Sequence, residues 1–157
     1  PNFGGGAMLD VGFYPIGVPG ALFEESPVVL GSTIEHESGY DLDTGGAALL
    51  RFPSGINLSA TWGYGRDYVN ELQIIGTSGI ITAFPAFSKP STLTASLTLQ
   101  NQNKTKNIYV PTCNQFTNML NAFSNAIFDM ETREKFRTNA LKHQGLLDAA
   151  QKIQVQN

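Results

Sequence analysis

A single cysteine, Cys113, stands among 157 residues. No disulfide can form within the chain, which fits a reducing compartment such as the cytoplasm. Cys113 also lacks a local histidine or other base that would make it a nucleophile. No apolar run reaches the roughly 18–20 residues of a membrane span, so no membrane partner is expected. The first residues lack the regions of a secretion signal, and the chain starts abruptly at Pro1, as a cut chain would. Lysine and arginine together number 10 against 13 acidic residues, a net charge of −3. That is no basic footprint, and nucleic-acid binding is not expected. Two histidines leave little for a metal. In Glu35-His36-Glu37 a strand would turn the histidine away from both carboxylates, and His143 stands alone, so no metal site is expected. The strand, Gly-x-Gly-x-x-Gly and helix that seat a dinucleotide pyrophosphate are missing as well. Gly4-Gly5-Gly6 has the wrong spacing and follows no hydrophobic strand. The chain by itself is therefore expected to bind neither NAD nor NADP and to have no dehydrogenase activity. Asn57-Leu58-Ser59 and Asn103-Lys104-Thr105 match the glycosylation sequon, which carries no meaning in a cytoplasmic protein.

Charge is scarce overall. Charged residues make up 15% of the chain, against roughly 25% in ordinary soluble domains. Serine, threonine, asparagine, glutamine and glycine fill the gap. Either the surface is polar but uncharged, or part of it is an interface, where charge is depleted. The sheet pattern favours the interface. The length suits a single domain able to sustain its own core.

What is present reads as helix, then sheet, then helices. Residues 1–27 form a loop and a helix that Asp10 could cap. Pro15 is best accommodated if that helix starts at Gly12 or later, and Gly17, Pro19 and Gly20 weaken it further. Residues 28–110 alternate as strands. Val28–Ile34 is rich in β-formers. Gly46–Phe52 and Ile56–Trp62 flank the turn Pro53-Ser54-Gly55, and Glu71–Ile75 and Ile80–Phe84 flank Gly76-Thr77-Ser78-Gly79. Leu93, Ala95, Leu97 and Leu99 alternate with Thr94, Ser96 and Thr98, as Ile56, Leu58, Ala60 and Trp62 do with Asn57, Ser59 and Thr61. Strict alternation gives one apolar and one polar face, and short turns make the sheet largely antiparallel. Asn101–Asn107 reads as a polar loop. Thr112-x-x-Gln115 is a capping-box candidate. Phe116, Met119, Leu120, Phe123 and Ile127 follow at helical spacing, a stripe expected in the core. A last helix falls between Thr132 and Gln154, with Leu146, Ala149, Ala150 and Ile153 on one stripe. The expected fold is α+β, a mainly antiparallel sheet of about six strands with helices packed on one face.

The segment from Gly4 to Pro15 carries the chemistry. Three glycines permit positive φ and close approach, and Asp10 and Tyr14, at i and i+4, share one helical face. A carboxylate and a phenol beside a glycine-lined surface could handle a proton. On the pair alone the ordinary alternative is a helix cap and a buried aromatic. Asp41 and Asp43 read as an exposed loop or strand end. Tyr64, Arg66, Asp67 and Tyr68 form a polar-aromatic loop that could stack on a sugar or simply link two strands.

Gly4, Gly5, Gly6, Leu9, Asp10, Gly12 and Tyr14 fit a G-G-G-x-x-[LI]-D-x-G-x-[HY] pattern. The stretch resembles the start of the C-terminal domain of the Gfo/Idh/MocA oxidoreductases. Tyr14 followed by Pro15 is similar to their glucose–fructose oxidoreductase, dihydrodiol dehydrogenase and sugar ketoreductase branch. Phe52-Pro53-Ser54-Gly55, residues 71–79 (ELQIIGTSG), Ala140-Leu141 and Ala149-Ala150 follow in the expected order. The resemblance implies that residues 1–157 are one substrate-binding and oligomerisation domain. It would be the C-terminal half of a two-domain enzyme whose dinucleotide-binding half, with its Glu-Lys-Pro motif, is absent here. The parent reaction would be NAD- or NADP-dependent oxidation or reduction of a sugar, sugar nucleotide or polyol. Tyr14 and Asp10 would be catalytic, and Gly5, Gly6, Asp10 and Tyr14 would bind substrate. A free phenol has a pKa near 10 and needs a nearby cation, in this family the lysine of the missing half, to work as acid or base. The same resemblance implies a homo-oligomer built through the sheet, whose uncharged positions are Asn57, Ser59, Thr61, Thr94, Ser96 and Thr98. The rival readings are a self-associating module without catalysis and a small-molecule binding module that has lost redox chemistry.

Overall fold

The computed structural model describes residues 4–102 and 104–153. Pro1, the sequon asparagine at 103 and Gln154 at the end of the last expected helix lie outside the described residues. The chain forms two compact units. One runs to Arg66 and resumes at Arg133, and the other is Asp67–Thr132. The fold is α+β, with seven strands among the described residues in two antiparallel sheets of three and four strands.

The first unit opens with a π-helical turn, Met8–Gly12, that continues into α1, Phe13–Leu22. Asp10 is thus inside a helical segment rather than at its cap. The helical segment begins before Gly12, so Pro15 lies inside it rather than in its first turn, as does Pro19, and neither has an amide hydrogen to donate to the preceding turn. β1 (Val28–Glu35), β2 (Gly45–Arg51) and β3 (Asn57–Gly63) follow as an antiparallel meander. Pro53-Ser54-Gly55 turns as expected, with Gly55 at φ +92° and its N–H donating to the Phe52 carbonyl at 2.9 Å. Alternation holds along β3, where Ala60 and Trp62 are buried while Asn57, Ser59 and Thr61 are exposed.

The core gathers Met8, Ile16, Leu50, Ala60 and Trp62 with Leu147 and Ala150 of α3, Met130–Lys152. Small residues make the helix–sheet approach possible. A methyl group at Gly12 would stand 2.9 Å from the Trp62 ring, and one at Gly46 would stand 2.7 Å from it. The indole therefore lies against backbone from both sides, tighter than side chains would allow. The C-terminal end of α3 is tied to β1 by Ser32, which is buried. Its hydroxyl donates to the Ala150 carbonyl and, at 3.0 Å, to that of Ile153, and its N–H also reaches Ile153 O at 3.0 Å. These bonds satisfy carbonyls that a helix end leaves open.

The second unit is the meander β4 (Leu72–Gly76), β5 (Gly79–Phe84), β6 (Ala95–Asn101) and β7 (Lys104–Val110), followed by α2, Gln115–Phe128. The polar stretch after Asn101 is a tight hairpin, because Lys104 pairs with Asn101 and starts a seventh strand. Its turn residues resemble a loop, but β7 carries Ile108 and Val110 at alternate positions. The cap of α2 is Asn114 rather than Thr112. The Asn114 side chain accepts from the N–H groups of Phe116 at 3.0 Å and Thr117 at 3.2 Å, an arrangement asparagine makes well. The stripe expected in the core is open. Phe116, Met119, Leu120, Phe123 and Ile127 are 52–64% exposed. Helical spacing marks which face is apolar but does not supply the surface that would cover it. Buried Asn70 organises the loop between β5 and β6. Its side chain accepts from Ala86 N–H at 3.0 Å and Phe87 N–H at 2.8 Å, and donates to the Ser88 carbonyl at 3.0 Å. Among the described residues no helix is long and apolar enough to cross a membrane.

Candidate active site

The glycines at 4, 5 and 6 all take positive φ, +73°, +119° and +95°, a run that other residues adopt only with strain. Asp43, in the loop before β2, sets the path of the chain that leaves them. Its carbonyl accepts the Ala7 N–H at 2.9 Å and its Oδ2 accepts the Met8 N–H at 2.6 Å. A side chain at Gly6 would fall onto the Asp43 carboxylate, and one at Gly5 would stand 3.0 Å from Leu42 Cδ1. Asp43 is therefore the cap of this helical segment, reached from another part of the chain. The expectation that Asp41 and Asp43 form an exposed loop fails for Asp43, because a backbone donor in the sequence-distant helix claims its carboxylate.

Asp10 follows one turn later, its N–H bonded to Gly6 O at 3.2 Å and its side chain exposed. The Tyr64 hydroxyl donates to Asp10 Oδ2 at 2.7 Å. That bond to the carboxylate, followed by burial and the charges of Asp10 and Asp43, pushes the Tyr64 phenol up to about 12. Tyr14, 41% exposed, lies four residues beyond Asp10 across the junction of the π turn with α1. Its ring meets Phe13 edge-on at 5.8 Å. Of the site residues read from the sequence, Gly5, Gly6 and Asp10 converge on Asp43 and Tyr64. Tyr14 continues the same helical segment on its exposed side. From the sequence, Tyr64 reads as part of a loop that could stack on a sugar and Asp43 as an exposed loop or strand end, and neither is joined to Asp10. They lie 54 and 33 positions from Asp10, and only the placement of β2 and β3 brings them in.

The remaining polar groups have other partners. Glu35 forms an ion pair with Arg66, and Asn70 Nδ2 donates to the Tyr68 hydroxyl at 2.8 Å, so the 64–68 loop splits into separate contacts. Phe13 also stacks on His143 with centroids 4.2 Å apart. Burial pulls the His143 pKa down, opposed by a hydrogen bond to the Phe13 backbone. His143 lines a groove of about 740 Å³ between α1 and α3 that takes in Ile16, Leu22, Lys142 and Leu146 but neither Asp10 nor Tyr14.

A dinucleotide pyrophosphate suits a helix N-terminus with free N–H groups. Here the Ala7 and Met8 N–H groups are already taken by Asp43, and a carboxylate stands where an anion would bind. These residues do not fit that group. An exposed carboxylate can instead accept a hydrogen bond from a hydroxyl.

Over 148 residues the chain is 28% identical to the dTDP-3,4-didehydro-2,6-dideoxy-alpha-D-glucose 3-reductase of Actinomadura kijaniata, covering 94% of this chain and 45% of that protein. A reductase of the same name from Streptomyces violaceoruber is 29% identical over 124 residues, 78% of this chain and 36% of that one. A crystal structure of a 3-ketoreductase from Actinomadura kijaniata, with TDP-benzene and NADP in an open conformation, matches at a TM-score of 0.90. It is 28% identical and covers 96% of this chain and 48% of that one. The chain spans less than half the length of these relatives. The sequence signature described as the GFO/IDH/MocA C-terminal domain matches residues 1–82, more than half of the 157, and the chain belongs to that family.

Proposed function

We propose that this chain is the substrate-binding part of an NADP-dependent oxidoreductase that acts on a keto or hydroxyl group of a sugar carried by a nucleotide, and that it works in the cytoplasm. One observation carries the reading. An exposed carboxylate, Asp10, is held by Tyr64 on a helical segment whose entry is locked by Asp43 and three positive-φ glycines. Groups meant to meet a ligand are held in place beforehand in this way. The likeness to sugar-nucleotide 3-reductases supports the substrate class.

In this reading Asp10 accepts a hydrogen bond from a sugar hydroxyl and fixes the ring. Tyr14 exchanges the proton of the reacting oxygen, donating it when a ketone is reduced and accepting it in the reverse direction. Gly5, which is exposed, lets the sugar approach backbone, and Gly6, buried against Asp43, holds the turn behind it. The nicotinamide supplies the hydride, and because the Asp43-capped helix end does not suit a pyrophosphate, it would be seated outside these residues. The test is turnover by the full-length protein. Tyr14→Phe should lower turnover by roughly 10²–10⁴-fold, the usual contribution of an acid–base group, with the fold intact by circular dichroism. Asp10→Ala should weaken substrate binding as well as turnover. A change of less than about threefold for Tyr14→Phe, far under that range, would make Tyr14 structural.

The domain is further proposed to form homo-oligomers through its four-stranded sheet. The six uncharged positions expected on one face divide between the two sheets, since β3 belongs to one and β6 to the other, and Thr94 precedes β6. The register aligns Gln73 with Thr82 and Thr98, and Thr98 with Asn107. That face carries Ser96, Thr98, Thr82 and Asn107 beside Ile75, Phe84 and Tyr109, which are 73%, 49% and 70% exposed. It bears no charge, and exposed large side chains amid uncharged polar ones match the composition of interfaces. This surface is also what favours the rival reading of a self-associating module without catalysis.

A further inference from the structure

The loop that leaves β3 is fastened at both ends. Tyr64 N–H donates to the Thr44 carbonyl at 2.8 Å, and Gly65 turns the chain at φ +68°. Arg66 then pairs with Glu35 at the end of β1. Its guanidinium lies over two glycines. A methyl group at Gly63 would stand 3.0 Å from Arg66 Nε, and one at Gly45 would stand 3.3 Å from Arg66 Nη2 and 2.9 Å from Glu35 Oε2. Glycine at both places leaves room for the pair, and the pair pins the loop. Between these anchors the Tyr64 side chain projects to Asp10, with its hydroxyl 2.7 Å from Oδ2.

An exposed aspartate on a helix has several open rotamers, and a substrate that needs one of them must select it at the cost of binding strength. We propose that Tyr64 is a positioning residue for the sugar site. It holds the Asp10 carboxylate in one orientation through Oδ2 and leaves Oδ1 to receive a sugar hydroxyl. This rests on the reading of Asp10 as the substrate-binding carboxylate. The arrangement also separates the two tyrosines. Tyr64 sits beside the carboxylates of Asp10 and Asp43, which keep its phenol protonated as a steady donor, so proton exchange falls to Tyr14. The loop tyrosine therefore acts through Asp10, and the Arg66–Glu35 pair acts through the loop.

A double-mutant cycle in the full-length protein tests this, with Tyr64→Phe, Asp10→Asn and the double variant. The probe is a dTDP-3-keto-6-deoxy sugar that keeps its C2 and C4 hydroxyls, with NADPH. A hydrogen bond to a charged group is large enough for about a tenfold effect. Tyr64→Phe should raise KM by about that factor, with kcat changed much less, and should add under about twofold once Asp10 is already Asn. Equal losses in both backgrounds would overturn the positioning role, because Tyr64 would then act independently of Asp10. An Asp10→Asn variant with unchanged kcat/KM would overturn the site reading and this proposal with it. A second measurement needs no substrate. The carboxyl carbon resonance of Asp10, assigned by its loss in Asp10→Asn, should move in Tyr64→Phe. An unmoved resonance would show that the contact is not made in solution and would also overturn the proposal.

Discussion

In the three-stranded sheet Ala48, Leu50, Ala60 and Trp62 are buried to 5% exposure or less, while in the four-stranded sheet Ile74, Ile81, Leu99 and Ile108 stay 37–40% exposed. Both sheets come from the same local pattern, antiparallel hairpins with alternating side chains. What differs is the supply of covering surface. Beside β2 and β3, glycines at 12 and 46 let a helix and the Trp62 ring come within backbone contact, and Leu147 and Ala150 close the cluster. The helix of the second unit, α2, keeps its apolar stripe more than half exposed. Alternation decides which side of a strand is apolar, whereas burial depends on small residues placed to let another element approach. The candidate site lies in the unit that has them, where a rigid scaffold can hold Asp10, Asp43 and Tyr64 at fixed distances.

The comparison makes its largest claim about stability. Leu50→Ala removes a fully buried side chain and should cost about 2–5 kcal/mol. Phe123→Ala, 64% exposed, should stay within about 0.5 kcal/mol, as surface changes do. Urea midpoints of the two variants measure this, and equal costs would mean that the α2 stripe is covered after all. Next in size is the glycine lock. Gly6→Ala combines φ +95° with a collision at the Asp43 carboxylate, and strain of this kind costs on the order of 1–3 kcal/mol. Gly76→Ala, with ordinary contact at 3.7 Å, should cost less than about 1 kcal/mol. Should Gly6→Ala prove as mild, the entry to the site is not locked.

A smaller expected effect concerns the uncharged face. Ile75→Lys with Ser96→Lys adds two charges to one face of the four-stranded sheet at little cost to a side chain already 73% exposed, and like charges oppose edge and face association. Light scattering should show the oligomer shrinking. An unchanged mass would place any association elsewhere. The smallest effect is alkaline. The Tyr64 phenol titrates at about 12 in the folded chain against an ordinary 10. A raised value means that the bond to Asp10 contributes fully below about 10 and is lost as pH climbs through about 12. The stability difference between wild type and Tyr64→Phe should therefore shrink over that window, and a difference that stayed constant would disconnect Tyr64 from Asp10.

Much of this was written in local sequence. Strands appeared where β-branched residues alternate with polar ones, turns where Pro53-Ser54-Gly55 and Gly76-Thr77-Ser78-Gly79 punctuate them, and the last helix where Leu146, Ala149 and Ala150 repeat. These signals depend on neighbours within a few residues. The division into two sheets did not, because β3 and β4 look alike to any local window. β7 was hidden by a polar turn, and the α2 cap moved by two residues because threonine and asparagine compete for that place on nearly equal terms.

By itself, the sequence determined the α+β class, the hairpin order, the glycine-rich entry and the Asp10–Tyr14 pair, all properties of spacing along the chain. Tertiary structure alone decided that Asp43 caps the first helix, that Tyr64 holds Asp10, and that Ser32 closes the end of α3. The reason is physical. A hydrogen-bond donor on a strand, or on the loop that leaves one, finds its acceptor on a helical segment 118 or 54 residues away only after register and packing have put them together, and no local preference encodes that meeting.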